Sequence, residues 1–83
     1  MTATSGRTVT VMVREDCHAC EQAVADVDRI CGELGVRWTS EDVDSDPELR
    51  AEYGDRVPVI LIDNVEHGYW KVEEPRLRAA LSR

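Results

Sequence analysis

The chain has 83 residues and a net charge of −7, with 42% hydrophobic and 33% charged residues. This length allows one domain with one modest core, and the composition is that of a soluble folded domain rather than of a disordered chain. The acidic charge argues against binding to nucleic acids or anionic membranes, and no apolar stretch approaches the ~20 residues of a membrane span.

The first half of the chain predicts a strand followed by a long helix. Residues 1–7 are small and polar and predict a flexible tail, so we place the folded domain at residues 8–83. Alternating apolar residues predict a strand over Thr8–Val13. Apolar residues at steps of three and four then predict a helix with one buried stripe, ending at Leu34 before a Gly35 cap. The stripe comprises Cys20, Ala23, Val24, Val27, Ile30, Cys31 and Leu34.

A second strand, a short helix and a third strand follow. We predict the second strand over Val36–Val43. Asp46 before Pro47 is typical of a helix start, and this short helix ends before Gly54. The run Val59–Ile62 lacks polar alternation, which predicts a strand that is buried on both faces.

The last part of the chain predicts a hairpin and a final helix. The pair Asp63-Asn64 is typical of a tight turn leading into a strand over Val65–Trp70. Glu73-Glu74-Pro75 begins a helix that ends near Ser82. The first strand-helix-strand unit requires a parallel pair, and the hairpin requires an antiparallel pair. The predicted fold is therefore α/β, a four-stranded mixed sheet flanked by three helices.

The motif Cys17-His18-Ala19-Cys20 stands between the first strand and the first long helix. Unpaired N–H groups and the helix dipole stabilise an anion at a helix N-terminus. Such a position lowers the pKa of a cysteine thiol from roughly 8.5 to between ~3.5 and 7.5. We therefore predict Cys17 as an exposed nucleophile. Cys20 lies one turn further on the same face, where it can resolve a mixed disulfide at Cys17.

Charged residues around the motif act in both directions on that thiolate. Arg14 and a protonated His18 favour it, whereas Glu15, Asp16 and Glu21 oppose it. The helix N-terminus leads us to expect a lowered pKa of Cys17 as the net result.

Two other interpretations of the cysteines are packing and metal binding. One Cys-x-x-Cys motif supplies only two of the four ligands of a tetrahedral site, His18 would point elsewhere, and His67 lies on the hairpin. We predict no cofactor and no metal site within one chain, while a cluster bridged between two chains stays open. Cys31 is about 16 Å along the helix from Cys20 at ~1.5 Å per residue, too far for a disulfide, so we interpret it as a buried packing residue.

A second candidate feature is Val57-Pro58 at the start of the buried strand. Proline is disfavoured inside a sheet, and an X-Pro bond can be cis. The backbone of Val57 would then pair with an extended substrate beside Cys17; the alternative is a trans proline that only begins the strand. Arg14 and Arg56 are candidates for contact with a substrate carboxylate, or else solvated surface charges.

With both motifs in place, residues 8–82 resemble the thioredoxin superfamily and, within it, the small glutaredoxin-like proteins. The resemblance implies Cys17 as nucleophile, Cys20 as resolving thiol and Pro58 as a cis-proline facing them. It is carried by Cys17-His18-Ala19-Cys20, Asp42-Val43-Asp44, Asp46-Pro47-Glu48-Leu49 and Val57-Pro58.

The chain also departs from the pattern of these families. Asp16 stands where thioredoxins usually have tryptophan, and His18-Ala19 replaces their Gly-Pro. Glutaredoxins usually carry Gly-Gly near the last helix to help hold glutathione, and the single Gly68 stands there. We interpret the next residues, Tyr69 and Trp70, as packing residues of the hairpin.

The predicted function is that of a monomeric dithiol-disulfide oxidoreductase that reduces a protein or small-molecule disulfide. Its partners would be that disulfide and a thiol or reductase that restores the dithiol. Three cysteines are too few for a secreted disulfide framework, and residues 1–7 lack the apolar region of a signal peptide, so we expect a cytoplasmic protein. The alternative is a non-catalytic thioredoxin-fold binding module or a carrier of a bridged metal cluster.

Overall fold

The computed structural model describes residues 7–82 and has the predicted order of elements. The predicted α/β fold, with a four-stranded mixed sheet and three α-helices, is confirmed. Residues 1–6, most of the predicted tail, lie outside the described residues, as does Arg83. The elements are β1 (Thr8–Val13), α1 (His18–Leu34), β2 (Arg37–Asp42), a 3₁₀ turn (Val43–Ser45), α2 (Pro47–Tyr53), β3 (Val59–Ile62), β4 (Val65–Tyr69) and α3 (Glu74–Leu81).

The four strands form one sheet in the order β2-β1-β3-β4. β1 runs parallel to β2 and antiparallel to β3, and β3 forms the predicted hairpin with β4. Asp63 and Asn64 join the hairpin with φ angles of 52° and 69°, and positive φ at both central residues matches the twist of paired strands. These strand directions bring four segments together at one end of the sheet, which we call the site end: residues 14–17, 43–46, 57–58 and 70–71.

Each face of the sheet has its own core cluster. α1 and α3 pack against the face that contains Ile60 and Ile62, while α2 packs against the face that contains Val59 and Leu61. Successive strand residues point to opposite faces, so β3 contributes to both clusters. This arrangement explains why all four residues of β3 are buried, as its sequence predicts. None of the helices within residues 7–82 is long and apolar enough to cross a bilayer.

β2 is shorter than the predicted strand over residues 36–43. It ends at Asp42, whose carboxylate accepts the backbone N–H of Asp44 at 2.8 Å. An Asx turn of this kind competes with strand pairing for the backbone N–H groups. The turn directs Val43 into the α2 cluster, where it is fully buried.

α1 and α3 are also joined at the surface by a group of ion pairs. The Glu74 carboxylate accepts hydrogen bonds from Arg29 at 2.9 and 3.1 Å and from Arg78 at 2.9 Å. These hydrogen bonds lower the pKa of Glu74 to about 2, and the contribution from Arg29 is the largest. Exposed pairs contribute little free energy, so we assign them to the orientation of α3.

The two glycines at the end of α1 are expected to respond oppositely to the same substitution. Gly35 ends the helix with a left-handed φ of 70°, so Gly35→Ala should lower the free energy of unfolding by ~1 kcal/mol. Gly32 lies within α1, and a Cβ there meets nothing within 4 Å, so Gly32→Ala should raise that free energy by about 0.5–1 kcal/mol. Urea unfolding followed by circular dichroism measures both changes. Equal effects of the two substitutions would contradict the capping role of Gly35.

Candidate functional site

The two cysteines of the motif lie at the site end, where α1 begins. Cys17 is the N-cap residue of α1 and is partly exposed, whereas Cys20 is only 3% exposed. The two residues form a disulfide with their Cα atoms 5.2 Å apart, within the range that a disulfide needs. The prediction that Cys17 is accessible and Cys20 stands behind it on the same face agrees with this arrangement.

The start of α1 directs a hydrogen-bond donor at the Cys17 sulfur. The backbone N–H of Cys20 donates to Cys17 Sγ at 3.1 Å, in the manner of an N-cap side chain. A donor to the charged form of a group favours ionisation, and the positive end of the helix dipole acts in the same direction. Once the disulfide is reduced, the same N–H group is available to a Cys17 thiolate.

The third cysteine belongs to the core. Cys31 is a free thiol and is fully buried in the cluster between α1 and the sheet. Burial raises the pKa of Cys31 to about 11, which keeps it in the thiol form near neutral pH. Its interpretation as a packing residue is confirmed. Within residues 7–82, His, Cys, Asp and Glu side chains form no group of three or more that could hold a metal ion.

Val57-Pro58 lies beside the end of β1 at the site end. Met12 of β1 pairs with Val59, so the residues before β3 come next to the loop that carries Cys17. The Val57–Pro58 peptide bond is cis. The ring of Pro58 is buried, and no other group in the described part of the chain hydrogen-bonds to the backbone N–H or C=O of Val57.

The Arg14 guanidinium is engaged with the protein itself. It donates to both carboxylate oxygens of Asp44, at 2.8 and 3.2 Å, and to the carbonyl oxygen of Gly54 at 3.3 Å. The hydrogen bond raises the pKa of Arg14 and lowers that of Asp44. Arg14 thus connects the Cys17 loop to the 3₁₀ turn and to the end of α2.

Arg56 is likewise held by neighbouring groups. It forms a hydrogen-bonded ion pair with Glu66, and its second terminal nitrogen donates to the carbonyl oxygen of Glu52 at 2.9 Å. Its guanidinium carbon also lies 5.8 Å from the centre of the Tyr69 ring. The last predicted site residue, His18, is exposed in the first turn of α1.

A shallow groove runs beside the buried member of the cysteine pair. It has a volume of about 300 Å³ and is lined by Val13, Arg14, Cys20, Glu21 and Val24. Apolar side chains from the end of β1 and from α1 form part of its lining, and one cation and one carboxylate contribute the charged groups. The groove offers room for a substrate segment close to the cysteines.

Two features of the site were not foreseen. Asp44 pairs with Arg14 across 30 residues, and neither local spacing nor composition signals such a contact. Tyr69 and Trp70, which the sequence predicts to pack in the hairpin, do pack edge-on against each other at 5.0 Å. They do so on its surface, where they are 46% and 61% exposed. Trp70 has a left-handed φ of 73°, and its backbone N–H donates to the Pro58 carbonyl oxygen at 2.7 Å.

Fold and site together define a small member of the thioredoxin superfamily of the glutaredoxin-like type. Residues 8–82 match the family described as Glutaredoxin-like domain (DUF836), and the chain belongs to that family. It is 41% identical over 80 residues to the uncharacterised protein Rv0508 of Mycobacterium tuberculosis, covering 90% of this chain and 82% of the relative.

Solved structures show the same architecture. The crystal structure of target protein XcR50 from X. campestris has a TM-score of 0.72 and 35% identity, covering 89% of this chain and 95% of its own. Fasciola hepatica thioredoxin has a TM-score of 0.63 and 23% identity, covering 93% of this chain and 79% of its own. The likeness to thioredoxin shows the fold alone. Membership of the family and the neighbouring Cys17–Cys20 pair support a redox role.

Proposed function

We propose that this protein is a dithiol-disulfide oxidoreductase in which Cys17 is the nucleophile and Cys20 the resolving thiol. One observation carries the proposal: a partly exposed Cys17 at the N-cap of α1 is bonded to a buried Cys20 one turn away. A thiolate is the attacking species in disulfide exchange, and a helix N-terminus stabilises it. The family supports the same chemistry.

The reaction transfers two electrons from the protein to its substrate. The Cys17 thiolate attacks one substrate sulfur, a mixed disulfide forms, and the other substrate sulfur leaves as a thiolate that takes a proton from water. Cys20 then gives its proton to water and attacks the Sγ atom of Cys17. The second substrate sulfur leaves as a thiolate, and the protein holds the Cys17–Cys20 disulfide. A donor thiol or reductase restores the dithiol by the reverse exchange.

The neighbouring residues have distinct roles in this proposal. No group within residues 7–82 hydrogen-bonds to the backbone of Val57. This backbone lies beside the loop that carries Cys17 and pairs with an extended substrate. His18 is exposed beside Cys17 and contacts the substrate. Arg14 and Arg56 are positioning residues at the rim of the substrate site, because their charges are paired with carboxylates of the protein.

A single-turnover experiment tests the proposed function. Protein reduced with dithiothreitol and freed of reductant is mixed with bis(2-hydroxyethyl) disulfide, a small uncharged substrate. We expect each protein molecule to release two thiols and to lose both of its alkylatable site thiols, as seen by mass spectrometry after quenching. Equilibration with glutathione redox buffers then gives the reduction potential. A protein that keeps both thiols in the presence of this disulfide and of insulin would overturn the proposal.

A further inference from the structure

The two arginines near the cysteines, Arg14 and Arg56, are already paired with carboxylates of the protein. Arg14 makes a two-point contact with Asp44, and Arg56 is paired with Glu66. Two-point contacts of this kind are among the strongest hydrogen-bonded pairs in proteins. A substrate carboxylate would have to displace an internal carboxylate from either arginine.

The carboxylates around Cys17, in contrast, have no ion-pair partner in the described part of the chain. Glu15 and Asp16 directly precede the nucleophile, and Glu21 lines the groove beside Cys20. All three are exposed, and none of them forms an ion pair with another residue in the range 7–82. Lys71 is an exposed cation at the far side of the site end, and the charge of Arg14 is paired with Asp44. The nucleophile therefore faces an incoming substrate from within a negative field.

An exposed aromatic side chain stands on the Pro58 side of the same surface. The backbone N–H of Trp70 donates to the Pro58 carbonyl oxygen, which holds the backbone of Trp70 next to Pro58. Tyr69 packs edge-on against its ring at 5.0 Å. An exposed indole provides apolar contact for a polypeptide and a favourable face for a cation. Binding of a small disulfide at Cys17 does not require such a surface.

We propose that the substrate disulfide belongs to a polypeptide with lysine or arginine next to the reacting cysteine. The proposal rests on the oxidoreductase function and specifies its substrate class. A cationic segment is attracted to Glu15, Asp16 and Glu21 before the reaction, which raises the rate of encounter. Once bound, the same positive charge offsets their repulsion of the Cys17 thiolate. An anionic disulfide such as glutathione disulfide is repelled before the reaction, and once bound it adds to the repulsion of the Cys17 thiolate.

Matched peptides test the preference in single turnover. Three disulfide-linked dimers of a capped pentapeptide carry lysine, glutamine or glutamate on both sides of the cysteine, and each rate is divided by that of dithiothreitol with the same peptide. This division removes differences in the reactivity of the peptides themselves. We expect the lysine peptide to react ~10-fold faster than the glutamate peptide at low ionic strength, with the ratio falling to about 2-fold in 0.5 M salt through screening.

Charge variants locate the origin of the preference. The triple variant Glu15→Gln, Asp16→Asn, Glu21→Gln should reduce the lysine-to-glutamate ratio to within ~2-fold of unity. Asparagine suits the left-handed φ of 55° at position 16. The control triple variant removes equal charge elsewhere, through Asp28→Asn, Glu33→Gln and Asp63→Asn, and should keep the ratio.

The variant Trp70→Asn tests whether the reaction rate with a polypeptide substrate depends on Trp70 more than the rate with a small cationic disulfide does. Asparagine again tolerates the left-handed backbone at this position. The variant should react about 3-fold more slowly with the lysine peptide and at the wild-type rate with cystamine, a small dicationic disulfide. Equal losses with both substrates would contradict a role in polypeptide binding.

The outcomes distinguish the two proposals. If wild-type protein reduces all three peptides with equal normalised rates, or if the control triple variant abolishes the preference as well as the site variant does, the substrate class is wrong and the oxidoreductase stands. If reduced protein passes electrons to none of the peptides and to no uncharged disulfide, the proposed function itself fails.

Discussion

Replacing Cys17 by serine should lower the rate of disulfide reduction by at least ~1000-fold, to the background of the assay, because the thiolate nucleophile is removed. Serine is a preferred N-cap residue, and its hydroxyl oxygen can accept the Cys20 N–H that now donates to sulfur. The fold of Cys17→Ser should therefore persist, as its circular dichroism spectrum will show. The measurement is the single-turnover release of thiol from bis(2-hydroxyethyl) disulfide.

Two further cysteine variants serve as controls for the Cys17→Ser result. Cys20→Ser keeps the nucleophile but lacks the resolving thiol, so it should stop at a mixed disulfide whose mass identifies the bound half of the substrate. Cys31→Ala removes a thiol that is buried and has a pKa of about 11, and it should keep the wild-type rate per folded molecule. A Cys17→Ser protein that reduces the disulfide as fast as wild type would exclude the assigned nucleophile.

The features that the sequence predicted correctly are those fixed by neighbours along the chain. The stripe of α1 follows from spacing of three and four residues, and its end follows from Gly35, which adopts the expected left-handed backbone. The double burial of β3 follows from its unbroken apolar run. The positions of Cys17 and Cys20 at the start of a helix follow from the strand before them and the stripe after them.

The features that the sequence did not predict depend on contacts between residues that are distant along the chain. The partner of Arg14 lies 30 residues away, and many carboxylates of this acidic chain were equally plausible on the sequence alone. Trp70 follows an apolar-aromatic hairpin pattern that usually indicates burial, yet β4 is an edge strand and Trp70 extends beyond its end. Charge pairing and aromatic exposure at the site end therefore required the tertiary structure.

Truncating Leu77 should cause the largest loss of stability among single core substitutions in α3. This helix buries two residues, Leu77 and Leu81, and Leu77 is fully enclosed between α1 and the sheet. A buried Leu→Ala change costs ~2–5 kcal/mol, against a free energy of unfolding of about 4–12 kcal/mol for a domain of this length. Leu77→Ala should therefore lower the urea midpoint sharply with an unchanged m-value.

Leu77→Met is the matched control, since it conserves volume and should cost less than ~1.5 kcal/mol. The α3 cluster lies on the face of the sheet opposite α2, and α3 contributes no residue to the site end. Under conditions where Leu77→Ala is still folded, its single-turnover rate should consequently match that of wild type. A loss below ~1 kcal/mol would mean that the surrounding side chains close the cavity, and a slowed reaction in the folded variant would show that α3 packing reaches the cysteines.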